Sequence, residues 1–124
     1  MDLPPVSLII VNHDAGPMLA GCVATSLGQV EEIIVVDNAS SDNSLILLSE
    51  RFPNESRLKL IRNQENLGFA AACNIGLNWS CGHYLMFLNP DCLLEAGCVE
   101  RLVQVHESDP DTGMVGGLLL NPEG

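Results

Sequence analysis

Three short polar clusters hold the residues best able to do chemistry: Asn12-His13-Asp14, Asp37-Asn38 and Asn89-Pro90-Asp91. Each stands at the end of an apolar run, Val6 to Val11, Glu32 to Asp37 and His83 to Leu88. A carboxylate at such a tip is placed to accept hydrogen bonds from a base or a ribose, and Asp37 has that position. Asp37, Ser40, Ser41 and Asp42 also suit a plainer task, because their side chains close loops and cap helices. Asp42 is read as the cap and Asp37 as the ligand contact. Asp91, following Pro90 and two positions after Asn89, offers hard oxygen donors suited to a divalent cation. A Pro-Asp turn without a ligand is the alternative reading.

The glycines argue in the same direction. No GxGxxG opens the first helix, where only Gly16 and Gly21 stand, and the chain has no Walker A sequence. With five Lys and Arg in all, compensation for phosphate charge falls to a carboxylate-held metal. Asn63, Asn66, Gly68, Asn74 and Gly76 gather further along. Asn66-Leu67-Gly68-Phe69 reads as a turn, with Gly68 supplying a left-handed angle or a close approach to ligand. Asn74 lies in an otherwise apolar helical stretch, where an amide facing a sheet must be bonded; it is expected to brace the first loop or touch the ligand. Hydrolase chemistry from Ser7, His13 and Asp14 is rejected, since Ser7 lies inside a strand and no GxSxG elbow exists. A zinc site from Cys92 and Cys98 with His83 or His106 matches no standard ligand spacing.

The elements that position these residues alternate. Val6–Val11, Glu32–Asp37, Leu58–Ile61 and His83–Leu88 read as strands, and Met114–Leu120 as a further one. Between them come helices beginning at Pro17, reaching from Leu45 to Phe52, from Ala70 to Trp79 and from Glu95 to His106. Such alternation predicts an α/β three-layer sandwich, with a mostly parallel sheet and helices on both faces. Ligands then sit beyond the carboxyl ends of the strands, where strand order reverses, and the three polar clusters should converge there.

Composition bounds the rest. The chain has 124 residues, 16 acidic against 5 basic side chains, a net charge of −11 and 47% hydrophobic residues. That charge repels a phosphate backbone and excludes non-specific nucleic-acid binding. No apolar run approaches the ~20 residues that cross a bilayer, and five cysteines without a close CxxC pair suit reduced thiols in the cytoplasm. The length allows one domain or part of one, and the close at Leu120-Asn121-Pro122-Glu123-Gly124 predicts a truncated domain over 1–124. An open sheet edge left by truncation invites pairing, so a homodimer is an expected partner.

Taken together and in order, Val6–His13, Ile34–Asp42, Asn66–Gly76 and Phe87–Asp91 resemble the amino-terminal half of a family 2 glycosyltransferase with the GT-A (nucleotide-diphospho-sugar transferase, Rossmann-like) fold. The Asn-Pro-Asp form resembles the rhamnosyltransferase-like branch. The resemblance implies an incomplete GT-A domain that binds a UDP- or dTDP-sugar and serves a saccharide or lipid-linked acceptor, peripheral to the membrane in the whole protein. It implies that Asn12 and His13 flank the base and that Asp37 bonds base or ribose. Asn66, Gly68 and Asn74 belong to the same donor site. Asp91 would hold Mg²⁺ or Mn²⁺, with Asn89 in place of the first carboxylate of the family's DxD motif. No residue matches the family's catalytic base: Glu95, Glu100, Asp109 and Asp111 come too soon or lie on helix and turn.

The rival from another class is a non-catalytic nucleotide-binding or interaction module of α/β fold. A receiver-like domain would need an acidic third strand end and a late Lys, whereas the third strand ends Ile61-Arg62-Asn63 and Lys59 is the only lysine. A nucleotidyltransferase would need a basic, Gly-rich loop at Asn12–Pro17.

Overall fold

The computed structural model describes residues 4–109 and 111–117. The elements run β1 (Val6–Asn12), α1 (Met18–Ser26), β2 (Glu32–Asn38), α2 (Ser44–Arg51), β3 (Leu58–Asn63), α3 (Phe69–Trp79), β4 (Tyr84–Phe87) and α4 (Cys98–Glu107). All strand pairings are parallel, in the order β3-β2-β1-β4. The chain builds outward from β1 to β3, then crosses back to place β4 on the other side of β1. Strand order therefore reverses between β1 and β4.

Continuous apolar sequence makes β1 and β2 the centre of the sheet, because only a strand covered on both faces can bury every side chain. The period-2 alternation then sorts residues between two cores. Val6, Leu8 and Ile10 of β1 and Ile33 and Val35 of β2 pack with α1, α2 and α4 residues including Leu19, Val23, Leu48, Val99 and Val103. Ile34 and Val36 face the opposite way, onto Ala72 and Ile75 of α3. These are the three layers expected of the alternating pattern. Gly76 lets α3 approach, since a Cβ there would stand 2.7 Å from Ile9 Cγ2. On the outer strand β4, Leu85 and Phe87 stay partly exposed.

At the amino ends of the strands a single carboxylate ties the sheet together. Glu32, 4% exposed, accepts hydrogen bonds from Ser7 Oγ of β1 (2.5 Å), Lys59 Nζ of β3 (2.7 Å) and Cys81 N just before β4 (2.7 Å). Burial pushes its pKa up, but the bonds from Lys59, Ser7 and Cys81 outweigh that and hold it at about 2.

Most element ends shift by one or two residues from the sequence reading, and two elements differ more. Helix α4 begins at Cys98 rather than Glu95, because Gly97 adopts φ +81°, a left-handed angle that interrupts the helical path. The expected strand from Met114 is irregular as far as Gly117, and Leu118–Leu120 lie outside the described residues. Among the described residues no helix is long and apolar enough to cross a membrane.

Gly76→Ala should destabilise the chain by about 1–2 kcal/mol in urea titration, since the overlap with a stiff β-branched neighbour exceeds the gain in helix propensity. Gly28→Ala, where an added Cβ meets nothing within 4 Å, should stay within about 0.5 kcal/mol of the parent. Glu32 has a depressed folded pKa, so its stabilisation is complete above the ordinary carboxyl range and drains away as pH falls from about 4.5 towards 2. Glu32→Gln should cost about 1–3 kcal/mol at pH 7 and flatten the stability profile across that acid window, measured by denaturation at each pH.

Candidate functional site

The alternation that buries Leu8 and Ile10 brings Asn12 to the rim of the larger core, opposite its register partner Asp37. Asn12 is fully buried and Asp37 is 2% exposed. Asn12 Nδ2 lies 2.8 Å from Asp37 Oδ1, 3.1 Å from Ser40 Oγ and 3.0 Å from Ser44 Oγ, so its two protons serve three acceptors. Ser40 completes the ring by donating its hydroxyl to Asp37 Oδ1 (2.6 Å) and its amide to Asp37 Oδ2 (3.0 Å). Of the four lone-pair positions of the carboxylate, one on Oδ2 is left. Asn12 Oδ1 is buried without a partner among the described residues.

Around this ring the first two loops lock into each other. Asp14 Oδ1 accepts from the amides of Ser41 (2.8 Å) and Asp42 (3.2 Å), while Asp42 Oδ2 accepts from the amide of Gly16 (2.8 Å). Asp42 Oδ1 also takes the amide and hydroxyl of Ser44 at the first turn of α2, the capping role expected of it. Hydrogen bonds from Ser44, partly opposed by desolvation, hold the Asp42 carboxyl below its ordinary pKa. The exchange fixes two left-handed non-glycine residues, Asp14 (φ +53°) and Ala39 (φ +57°). Such angles persist where the surroundings over-determine them. His13 is exposed, and its Nδ1–H donates to the Asn38 carbonyl at 2.9 Å.

One residue beyond Asp37, Asn38 points to the other side of the sheet and organises the third loop. Its Oδ1 accepts from Asn63 Nδ2 (2.9 Å) and the Leu67 amide (3.3 Å), and its Nδ2 donates to the Gly68 carbonyl (3.1 Å). Asn66 closes a local turn by accepting from the Gly68 amide at 2.9 Å. Gly68 takes φ +85° at the start of α3, with open space around its Cα. Asn74 is exposed on α3; the sheet side of that helix is formed by Ala72, Ile75 and Gly76. The expected amide facing the sheet is therefore absent, because Asn74 sits about half a helical turn from Ala72 and Gly76.

Asn89 and Asp91 follow β4, so they stand at the same end of the sheet as Asn12 and Asp37, across the reversal of strand order. Both are exposed. No hydrogen bond joins them to the Asn12–Asp37 ring among the described residues, which also hold no cluster of three or more His, Cys, Asp or Glu. The oxygen donors at this turn are thus one carboxylate and one amide. That set fits Mg²⁺ or Mn²⁺ of the kind held by one or two carboxylates and completed by substrate phosphates and water. Two shallow hollows, of about 310 and 350 Å³, lie along α2 and β3 beside Phe52, Leu60 and Ile46, and the second reaches Arg62, the register partner of Asp37.

With this geometry in place the comparisons decide the family. The profile described as Glycosyl transferase family 2 matches residues 7–123. The chain belongs to glycosyltransferase family 2. It is 29% identical over 119 residues to an uncharacterized glycosyltransferase of Haemophilus influenzae, covering 94% of this chain and 37% of that protein. It is 30% identical over 108 residues to the Escherichia coli UDP-Glc:alpha-D-GlcNAc-diphosphoundecaprenol beta-1,3-glucosyltransferase WfgD, covering 85% of this chain and 42% of that one. Among solved structures it resembles a mannosyltransferase from Pyrobaculum calidifontis in complex with GDP-Man and Mn²⁺. The match has a TM-score of 0.68 and 25% identity, over 77% of this chain and 30% of that one. The chain thus spans well under half of each relative, and its sheet is a partial GT-A domain of family 2.

Sequence reasoning missed Ser44 in the Asn12 ring, Asn38 as the brace of the third loop and Glu32 as the hub at the opposite end. Glu32 and Asn38 left a trace: a polar residue opening or closing an otherwise apolar strand is too costly to bury without partners. Asp37→Ala should cost about 2–4 kcal/mol in denaturant titration, because it strips the Asn12 amide and the Ser40 amide of a buried acceptor. A residue serving only as a ligand contact would leave that midpoint unmoved.

Proposed function

We propose that this chain is the nucleotide-sugar-binding portion of a glycosyltransferase that moves a sugar from a nucleoside-diphosphate donor to an acceptor hydroxyl. The observation that carries the reading is the family 2 match over 7–123 combined with the place of Asn89-Pro90-Asp91, beyond β4 and beside the reversal of strand order. Open parallel sheets bind ligands in that crevice.

In this reading Asp91 holds Mg²⁺ or Mn²⁺ against the diphosphate. When bound, the metal neutralises charge that develops on the leaving group. Asn89 supplies an amide toward the ribose or the metal. Asp37 uses its remaining Oδ2 lone pair for the base or ribose. His13 flanks the base from the rim, and the turn at Asn66 and Gly68 closes the opposite side, with Asn74 further along α3. Holding the donor in one orientation lowers the barrier by removing translational and rotational freedom before reaction. The acceptor proton is taken by a base that we do not assign to this chain.

The Asn-Pro-Asp form favours a rhamnosyltransferase-like member using a dTDP- or UDP-sugar. The named acceptor of the WfgD relative supports a lipid-linked saccharide. A cytoplasmic domain working at a membrane surface would meet such an acceptor.

Calorimetric titration of UDP and dTDP nucleotides should show binding in Mn²⁺ that is lost in EDTA and falls about tenfold or more in Asp91→Ala. Equal binding with and without metal would favour a plain nucleotide-binding module. No binding by a longer chain that includes the rest of the domain would overturn the reading.

A further inference from the structure

The segment from Leu88 to Gly97 joins β4 to α4, carries Asn89 and Asp91, and contains neither helix nor strand. Within itself it makes short turns, Cys92 N to Asn89 O and Cys98 N to Glu95 O, both 3.1 Å. At its start Leu88 N still donates to Ile9 O of β1 at 3.2 Å; the anchors beyond that come from one side of α1 and the turn after it. Cys22 Sγ donates to the Asn89 carbonyl at 3.6 Å. Thr25 Oγ1 accepts from the Leu94 amide at 3.0 Å. Gln29 uses both ends of its amide, donating to the Glu95 carbonyl and accepting from the Val99 amide, each at 3.0 Å. At Gly21, an added Cβ would reach Leu93 Cδ2 at 3.6 Å, so the same side of α1 also packs on the segment.

Positions 22, 25 and 29 share one side of a helical path. The hydroxyl proton of Thr25 is spent on the Cys22 carbonyl (3.0 Å), which leaves its lone pairs for Leu94. Gln29 Nε2 also reaches the Thr25 carbonyl (3.0 Å), which holds its long side chain in place. Cys22 is fully buried. Helix α4 has Gly97 at its N-cap and no side-chain cap of its own. Gln29 therefore supplies, from the turn after α1, the acceptor that an N-terminal amide of α4 lacks locally.

We propose that Cys22, Thr25 and Gln29 are positioning residues: this side of α1 and the turn after it hold the 88–97 segment, and with it the Asn89-Pro90-Asp91 turn, at the carboxyl end of the sheet. Resting on the donor-site reading above, it gives the Asp91 carboxylate a fixed place toward a metal-diphosphate. An irregular loop of this length has no ladder of its own to do so.

The test compares the parent chain with Thr25→Val/Gln29→Met, Thr25→Ser and Asp91→Ala. Amide hydrogen exchange is followed at 88–99, and UDP and dTDP binding is measured with Mn²⁺ and with EDTA. The double variant should speed exchange at Leu94 and Val99 by about tenfold or more and weaken Mn²⁺-dependent nucleotide binding by about tenfold. Exchange in β1 and β2 should not change, and Thr25→Ser, which keeps the acceptor oxygen, should behave as the parent. If the double variant does not fold, Thr25→Val alone should move the same two readouts in the same direction. Unchanged exchange overturns the proposal, as does a loosened segment that binds metal-nucleotide as tightly as the parent. Equal binding by the parent and Asp91→Ala sinks the donor-site reading itself. Loss in Asp91→Ala with none in the double variant sinks the positioning role alone.

Discussion

The bond between Asn12 and Asp37, buried where two parallel strands end side by side, is the contact on which the rest of the site depends. Inside a low-dielectric rim a carboxylate needs donors around it, because buried polar groups left without partners are costly. Asn12 and Ser40 meet that demand together, and Asn12 in turn donates to Ser44 at the start of α2. Satisfying one buried charge therefore fixes the ends of β1 and β2 and the start of α2. The reciprocal bonds of Asp14 and Asp42 extend the same closure outward to the exposed loops.

Parallel-strand geometry explains why two adjacent polar residues do two separate jobs. Asp37 lies on the side of β2 that faces α1 and α2, and Asn38 on the side that faces α3. A one-residue step is enough to change faces, because side chains alternate with a period of two. Asp37 thus gathers the first and second loops, whereas Asn38 gathers the third through Asn63, Leu67 and Gly68. The loop after β4 has no such residue at its strand end and leans on α1 instead. Loops that carry function need a rigid scaffold beneath them, and this chain builds that scaffold from three separate polar devices.

The two ends of the sheet differ in how far their polar groups are satisfied. At the amino ends, Glu32 pairs with Lys59 and collects Ser7 and the Cys81 amide into a fully committed network. At the carboxyl ends, polar capacity is left over: a lone pair on Asp37 and the exposed side chains of Asn89 and Asp91. Residual hydrogen-bonding capacity in an otherwise satisfied rim is what a polar ligand can use.

The sequence alone determined the layer architecture, since apolar runs such as Ile33–Val36 can only be central parallel strands and the intervening helical stretches must cover both faces. It also placed Asn12, Asp37 and Asn89–Asp91 at strand tips, and their motifs in order pointed to the family. Strand order, and with it the position of the crevice, came from the fold, because nothing local distinguishes β4 beside β1 from β4 beside β3. The partners of Glu32, Asn38, Thr25 and Gln29 likewise lie tens of residues away, and hydrogen bonds of that span leave no periodic mark in the chain. The assignment of Asp42 to capping was legible because the capping partner, Ser44, is two residues away. Local chemistry can be read from neighbours, whereas a buried polar group's distant partners exist only once packing has excluded water around it.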